Sequence, residues 1–455
     1  MTSLLRMQVA LLAATAASAT VSVFAAQVGL ALVALVYFAR LARRETRGFA
    51  LPVDASVGAF AIWTFMSAAF APSPIASHES AKKLVLFFLL YFAAEALRAH
   101  DARESLLDAM LIGGIALASL GILQYLFLGY DTMDMRPRSF LGHYMTTSGV
   151  IAIVLMISAQ RLFSLKAAPR LTPPSLAVCV LVVVAAVAVM LGYLTGLMAT
   201  EIERFAILGI AVLAGRRAFS NGTWPDASLS DTLAVVMAPL GAAALILSRT
   251  RSAWLGVLAG LAVIAWLKRP RLLLILPGIV GAFLLFSPRA FLDRLTVTDA
   301  SSRDRYYMWQ AGLDMILDKP IFGQGTGMIL SVYPRFRWQG APNQNAPHLH
   351  NNFVQIAAER GLPCLVFLGW LLYLLGREAW RAREASRSGP VVLAVLTATL
   401  VSGMFEYTLG DSEILMLILL LAALPFAVSA SARERAEAEV PAPPPSSTDA
   451  LVFEQ

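Results

Sequence analysis

Long apolar segments, separated by shorter polar ones, run along most of this chain. A helix needs about 20 apolar residues to cross a bilayer core of ~30 Å, and fourteen segments approach this length. They cover residues 7–23, 24–40, 54–72, 84–98, 105–129, 144–161, 175–197, 204–215, 231–248, 252–267, 271–287, 362–377, 390–407 and 412–429. Because 204–215 is short and 7–23 is diluted by Ala, Ser and Thr, the pattern predicts twelve to fourteen spans. The expected fold class is all-α, a polytopic transmembrane helix bundle.

The composition agrees with a membrane protein and excludes several other classes. Of the 455 residues, 58% are hydrophobic and 14% are charged, whereas soluble domains carry about 25% charged residues. This excludes a soluble globular enzyme and a disordered chain. Cys179 and Cys364 are too few for a disulfide framework or a zinc quartet. The net charge of +7 is not concentrated on a soluble face, so no nucleic-acid partner is expected.

The basic residues predict how the chain is oriented. When the loops are assigned to alternate sides, 21 of the 36 Lys and Arg residues fall on one side together with both termini. Cytoplasmic loops carry this excess, so both termini are predicted to be cytoplasmic. The chain then divides into a helical bundle (1–287), a long outer loop that is partly helical (288–361), C-terminal membrane helices (362–430) and a disordered cytoplasmic tail (431–455). The tail prediction follows from its Glu, Ala and Pro content.

The remaining basic residues face the side that usually lacks them. They include the pairs Arg136 and Arg138, and Arg249 and Arg251, in short loops, and Arg305 in the long loop. Cations held at the outer ends of several helices indicate an anionic ligand at that surface. Contact with lipid headgroups or snorkelling at the interface is the alternative explanation.

The long outer loop contains several features that suggest function. A helical pattern runs over 303–317 and is ended by residues 318–320. The glycine-rich turn 323–327 follows, where backbone could approach a ligand closely. Tyr333 and Trp338 could stack on sugar rings, although aromatic residues are also common at membrane interfaces.

The segment 347–353 is the sharpest local feature, because it holds two of the five histidines, His348 and His350. A metal site is one hypothesis, but no cluster of Cys, Asp or Glu nearby in the chain completes it. A general base is another, since imidazole exchanges protons near neutral pH. Two interfacial polar residues are the third possibility. Asn351 is placed to cap the helix predicted to follow.

These residues, taken together, resemble the superfamily of O-antigen ligases and O-antigen polymerases, which are bacterial envelope glycosyltransferases. The resemblance rests on five short motifs in a fixed order, surrounded by membrane spans. They are Arg136-Pro-Arg-Ser-Phe-Leu-Gly-His143, Ser248-Arg-Thr-Arg-Ser-Ala-Trp254, Arg305-Tyr-Tyr-Met-Trp309, Asp318-Lys-Pro-Ile-Phe-Gly-Gln-Gly325 and His350-Asn351 with Gly361.

The resemblance implies a C-type glycosyltransferase of the hexosyltransferase type, with its active site on the periplasmic face of the bacterial inner membrane. Ligases of this superfamily transfer O-antigen from undecaprenyl diphosphate to lipid A–core, in lipopolysaccharide biosynthesis, without a metal or cofactor. The implied roles are His350 as the catalytic residue acting on the acceptor hydroxyl and the following as substrate-binding residues: Arg251, Arg305, Arg136, Arg138, Arg249, His348 and Asn351. The expected partners are the glycan donor, the lipid A–core acceptor and membrane lipids.

Three other classes of function remain open at this level. One is a structural or assembly protein, although it would not need a cation cluster together with a histidine. A polymerase would use a second carrier-linked glycan as acceptor, and the motifs do not exclude it; Cys364 also departs from the usual ligase motif. A transporter of lipid-linked glycans would place charges near the middle of its spans, whereas this chain concentrates its polar residues in one outer loop. Residues 175–217 look like an addition to the usual span count of the superfamily.

Overall fold

The computed structural model describes residues 2–46, 48, 50–132, 135–196, 199–216, 227–274, 277–278, 281 and 300–439. Within these residues all regular structure is helical. The α-helices are α1 (Ser3–Ala19), α2 (Val23–Ala42), α3 (Asp54–Ala69), α4 (Pro74–Ala81), α5 (Phe88–Ala96), α6 (His100–Phe127), α7 (Tyr144–Phe163), α8 (Pro173–Thr195), α9 (Ala199–Arg216), α10 (Ala227–Leu247), α11 (Arg251–Lys268), α12 (Ala300–Asp318), α13 (Ile329–Phe336), α14 (Asn352–Arg381), α15 (Ser388–Ser402) and α16 (Ser412–Glu439). Short 3₁₀ segments at Lys82–Phe87, Ser139–Leu141, Pro270–Leu274 and Thr408–Gly410 join them.

The predicted fold class, a polytopic helical membrane protein, is confirmed. Among the described residues, eight helices are long and apolar enough to cross a membrane: α2, α6, α7, α8, α10, α11, α14 and α16. The helices α1 and α15 are apolar but shorter. The predicted span 271–287 lies mostly outside the described residues.

The helix α6 forms the centre of the bundle, with α1, α7, α8 and α10 packed around it. Glycines allow two of these neighbours to approach closely. A Cβ at Gly113 would lie 2.0 Å from Thr20 Oγ1, and one at Gly114 would lie 2.5 Å from Val154 Cγ1. Small residues at helix contacts are typical of membrane bundles, where close backbone approach replaces the hydrophobic effect as the source of packing energy.

Three helix boundaries differ from the sequence prediction. The helix α14 begins at Asn352, ten residues before the predicted span, and is kinked at Gly361, whose φ is 79°. A Cβ there would lie 1.9 Å from the Ile321 carbonyl oxygen, so only glycine fits. The helix α15 ends at Ser402, before the predicted limit of 407. The helix α16 continues to Glu439, so the predicted disorder of 431–439 is wrong; its Ala, Glu and Arg residues are strong helix formers.

The outer loop is tied to α14 through its glycine-rich turn. The backbone N–H groups of Gln324 and Gly325 donate to the carbonyls of Ala358 and Glu359, both at 2.8 Å. The Gly327 N–H donates to the buried Glu359 carboxylate at 3.0 Å. The close approach at this turn is therefore to the protein's own backbone, and the ligand contact considered for it is wrong.

The aromatic residues Tyr333 and Trp338 also contact other parts of the protein. Tyr333 is fully buried in a small apolar cluster between α12, α13 and α14, so it cannot stack on a sugar. Trp338 is partly exposed, and its indole N–H donates to Asp314 at 2.6 Å. The predicted helix over 303–317 is confirmed as α12, which ends at Asp318.

Candidate active site

The turn that precedes α14 fixes the position of His350. Asn351 caps the helix, as predicted, because its side-chain oxygen accepts from the N–H groups of Phe353 and Val354 at 2.9 and 3.0 Å. His350 itself has a φ of 50°, in the left-handed region that non-glycine residues rarely adopt. Such strain is held by surrounding structure and is concentrated at functional sites.

The His350 imidazole is hydrogen-bonded to the carboxylate of Glu406. Its Nδ1 lies 2.9 Å from Oε1 and 3.0 Å from Oε2 of that residue. An ionised carboxylate only accepts hydrogen bonds, so Nδ1 carries the proton and donates. The other ring nitrogen, Nε2, is then the one that can accept a proton from a substrate.

Electrostatics keep Glu406 ionised although it is buried. Burial on its own raises the pKa of a carboxyl group. The hydrogen bond from His350 and the electrostatic interactions with His350, His348 and Arg305 outweigh burial and lower the pKa of Glu406 below its ordinary value. The Arg305 guanidinium lies 3.5 Å from Oε2, and the Tyr407 N–H donates to Oε1 at 3.1 Å.

Two adjacent asparagines bring Glu406 to this position, 56 residues after His350. The Asn352 N–H donates to the carbonyl of Gly403, the C-cap residue of α15, at 2.7 Å. The Asn352 side chain bonds the hydroxyl of Thr408 and the N–H of Leu409. The Asn351 side-chain amide donates to the Met404 carbonyl at 2.9 Å. The loop between α15 and α16 is therefore clamped against the start of α14.

Arg251 contacts the helix α12, which also carries Arg305. Arg251 is the first residue of α11, and its guanidinium donates to the Ser302 hydroxyl of α12 at 3.3 Å. Arg305 follows Ser302 by one turn of the same helix, so the two residues share a face. This contact links Arg251, through α12, to the Glu406 cluster. Arg305 and His350 contact the same carboxylate, and Arg251 contacts α12 one helical turn from Arg305.

The loop carrying Arg136 and Arg138 lies at the same end of the bundle. Gln124 anchors it, because the Gln124 side-chain oxygen accepts from the N–H groups of Arg138 and Ser139 at 3.0 and 2.7 Å. The Arg136 guanidinium sits over the Tyr144 ring, 4.1 Å from its centroid.

His143 shows that this loop and the Glu406 cluster share one electrostatic environment. Its pKa is lowered by desolvation first, and by the positive charges of His350, Arg138 and Arg136, against the opposing effect of Glu406. The basic loop is therefore close enough for its charges to be felt at the cluster.

Arg249 is placed differently from the other predicted residues. It has a φ of 53°, and its N–H donates to the Ile246 carbonyl at the end of α10. Within the described residues, the hydrogen bonds of Glu406 involve His350, Arg305 and Tyr407. Arg249 is therefore not part of that cluster.

His348 packs against His350, and the two rings are 4.2 Å apart in an edge-to-face arrangement. Burial, followed by the positive charge of His350, lowers the pKa of His348 to about 4. It is therefore uncharged at neutral pH and contributes no cation to the site.

The structure supplies the acidic partner that a metal site would need. Nitrogens of His348 and His350 and an oxygen of Glu406 all lie within 4.8 Å of one another, a spacing that could hold a metal ion. The Glu406 carboxylate, however, already receives the guanidinium of Arg305 and the N–H of Tyr407. A cation held next to an arginine is disfavoured by repulsion, so the donor set fits a histidine oriented by a carboxylate better than a metal.

Glu406 is the functional residue that sequence reasoning missed. It lies within the predicted span 390–407, so the sequence pattern assigned it to a membrane helix and not to a site. The available signal was a break in the apolar pattern, because Glu406, Thr408 and Asp411 follow one another within six residues. Asp411 accepts from the Thr146 hydroxyl at 2.8 Å, and burial raises its pKa to about 6.

The fold and the site define a polytopic membrane protein with a histidine–carboxylate pair surrounded by arginines at one end of its bundle. Residues 234–369 match the family described as O-antigen ligase. The resemblance recognised from the motifs is therefore confirmed for this segment. The matched segment contains Arg249, Arg251, Arg305, His348 and His350. No curated protein matches the chain.

Proposed function

We propose that the protein is an O-antigen ligase, which transfers O-antigen polysaccharide from undecaprenyl diphosphate to lipid A–core. The observation that carries the proposal is the His350–Glu406 pair, located where Arg305 contacts the same carboxylate. A base next to fixed cations suits a reaction in which a hydroxyl is activated and a diphosphate departs. The family match supports a glycosyl-transfer chemistry of this kind.

In the proposed reaction, the acceptor hydroxyl attacks the anomeric carbon of the donor sugar. Nε2 of His350 takes the hydroxyl proton while Glu406 stabilises the resulting imidazolium, as a carboxylate does for a general base. The new carbon–oxygen bond forms as the bond to the diphosphate breaks, and the diphosphate leaves with the electron pair. A single displacement inverts the configuration at the anomeric carbon.

The arginines provide the electrostatic part of this mechanism. A diphosphate leaving group gains negative charge as its bond breaks, and guanidinium groups can bind phosphate oxygens through two parallel hydrogen bonds. We assign this role to Arg251 and Arg305, with Arg136 and Arg138 extending the cationic surface. Fixed cations near a low-dielectric membrane stabilise developing charge more than they would in water. No metal is needed in this scheme.

The proposed location is the bacterial inner membrane, with both termini cytoplasmic and the site facing the periplasm. The support is that Arg136, Arg251, Arg305, His350 and Glu406 come from four separate loop regions and converge at one end of the bundle. The charge distribution assigns the first four of these residues to the side opposite the termini.

Reconstitution of the purified protein tests the proposal. The protein is incubated with undecaprenyl-diphosphate glycan and lipid A–core, with and without a chelator. Transfer of glycan to lipid A–core that persists with the chelator supports the ligase. Lengthened carrier-linked glycan would instead establish a polymerase, and movement of intact donor across a vesicle membrane without transfer would establish a transporter.

A further inference from the structure

A cation-lined pocket lies beside Tyr407, the residue whose N–H donates to the Glu406 carboxylate. It is a narrow cavity of about 80 Å3 between α3, the segment 80–87, α14 and α16. Two cations line it, Lys83 and Arg360, and no acidic residue is among its lining residues. The rest of the wall is mainly leucine, phenylalanine and isoleucine. The mechanism proposed above uses neither cation.

The pocket has a charged end and an apolar end, so its lining matches the two parts of an amphiphilic lipid. Lys83 and Arg360 lie near the outer end of α14, whereas the apolar wall continues along the same helix to Leu375. Fifteen residues of helix correspond to about 22 Å at 1.5 Å per residue, which is more than half of a bilayer core of ~30 Å. An anionic head at the cations would therefore place one hydrocarbon chain between the helices.

Both cations have hydrogen-bonding capacity left for a ligand. Lys83 Nζ donates one hydrogen bond, to the Gly410 carbonyl at 2.5 Å, and an ammonium group has three donors. Arg360 lies over the Phe60 ring and 3.8 Å from Glu359. Its Nε is buried without a hydrogen-bond partner among the described residues. Glu359 is itself occupied by Gly327 and Gln355.

The position of Tyr407 connects this pocket to the reaction. Its side chain lines the pocket, its N–H bonds the Glu406 carboxylate, and its ring lies 6.3 Å from that of His348. The Glu406 carboxylate thus contacts both Arg305 and a residue that lines the Lys83–Arg360 pocket.

We propose that this pocket binds the lipid acceptor, by a phosphate group at Lys83 and Arg360 and one hydrocarbon chain along α14. The proposal rests on the proposed function, in which Arg251 and Arg305 hold the donor diphosphate. A transferase that joins two membrane substrates needs a second site for the other one. A cation pair without a lining carboxylate suits the phosphate of that second lipid.

Kinetics with two matched pairs of variants test the assignment. Lys83→Gln removes a lining cation, and Lys82→Gln removes its exposed neighbour, which does not line the pocket. Leu372→Trp fills the slot, and Tyr373→Trp changes an exposed side chain on the same helix. We expect Lys83→Gln and Leu372→Trp each to raise the KM for lipid A–core about tenfold, with an unchanged KM for the donor. The two control variants should behave as wild type.

A rise in the KM for the donor alone, or no change in either KM, would overturn the assignment. Binding is measured separately by native mass spectrometry with lipid A–core, undecaprenyl phosphate and phosphatidylglycerol as probes. Wild-type protein should retain lipid A–core, and Lys83→Gln should lose it selectively. Equal retention of phosphatidylglycerol would mean a general lipid site. If wild-type protein transfers no glycan, the proposed function fails, while the binding result still decides the pocket.

Discussion

The two ends of the helix bundle differ in the partners of their buried charged side chains. At the end where α7 finishes, Arg161 is almost fully buried and ion-paired with both Asp108 and Glu104 of α6. At the same end, Arg40 of α2 donates to Glu95 at 2.6 Å. Each buried cation there is matched by carboxylate, as expected for charges whose only role is to hold helices together.

The end that carries His350 combines charge with a side chain that can exchange protons. The Glu406 carboxylate there contacts both Arg305 and His350, and Arg136, Arg138 and Arg251 lie in neighbouring segments. The comparison teaches that buried ion pairs stabilise the fold where only arginine and carboxylate take part, and indicate a candidate site where a histidine that can exchange protons shares the carboxylate.

The largest effect should come from His350. The variant His350→Ala is expected to lower turnover by about 10²–10⁴-fold, the usual contribution of a positioned base. Binding of the donor should be nearly unchanged, because its diphosphate contacts belong to the arginines. Turnover and donor affinity are measured on the reconstituted protein.

His348→Ala is the matched control for this prediction. It should be milder, because His348 lies 3.9 Å from Glu406 whereas His350 is hydrogen-bonded to it. A metal site would make both variants equally severe, and a chelator would silence the wild type. Normal turnover of His350→Ala would contradict a catalytic role and would favour the alternative that His350 is an interfacial polar residue.

The arginines at the same end should follow in magnitude. Arg251→Ala and Arg305→Ala are each expected to reduce the rate by roughly 30- to 150-fold, since loss of a charged hydrogen-bond partner costs about 2–3 kcal/mol. Lysine at either position should rescue only part of the loss, because it keeps the charge without the planar fork. Arg303→Ala, at an exposed position of α12, is the control and should retain activity. Equal rates for all three alanine variants would place the diphosphate elsewhere.

The opposite end should respond in stability and not in catalysis. Arg161→Met leaves Asp108 and Glu104 buried without their cation, and breaking such a pair costs about 3–5 kcal/mol. We expect a lower thermal unfolding midpoint in detergent, with turnover per folded molecule near that of wild type. Arg98→Met removes an exposed partner of Glu434, and surface pairs contribute about 1 kcal/mol or less. A loss of turnover in Arg161→Met with unchanged stability would break the contrast between the two ends.

Acid should destabilise the site through His348. Because burial lowers its folded-state pKa to about 4, while an unfolded histidine titrates near ~6.5, the unfolded chain binds more protons between these values. Stability is therefore lost as pH falls through this window, by about 2 kcal/mol between pH 7 and pH 5 for this residue. Thermal unfolding of wild type and His348→Gln over that range measures it. The wild type should lose stability relative to the variant, and a constant difference would contradict the shift.

The sequence predicted the features that depend on local pattern. Apolar segments located the helices, the spacing around 303–320 located α12, and Asn351 was recognised as a cap. His350 and the arginines were recognised by residue type and by family motifs. The predictions of the helices and the cap are confirmed because composition and chain spacing carry the relevant information, whereas the roles of His350 and the arginines stay predictions.

The features that were missed depend on contacts between distant segments. The loop that carries Glu406 is held next to His350 by contacts such as the one between Asn352 and Gly403, which are 51 residues apart in the chain. The glycine-rich turn 323–327 was considered as a ligand contact, but its N–H groups bond α14. Tyr333 was predicted as a possible sugar-stacking residue, but it is buried. Its burial arises from packing between α12, α13 and α14, which the local sequence does not indicate. The periodicity of apolar residues along the chain does not predict contacts between segments that are far apart in the sequence.

The central claim is that His350 and Glu406 act as one unit, and a double-mutant cycle tests it most directly. Turnover is measured for wild type, His350→Ala, Glu406→Gln and the double variant, with donor and acceptor saturating. We expect Glu406→Gln alone to lower turnover at least tenfold, because the imidazole loses the carboxylate that orients it and stabilises its charge. In the absence of His350 the same change should have almost no further effect, so the double variant should match His350→Ala. Multiplicative losses, as found for independent residues, would contradict the claim.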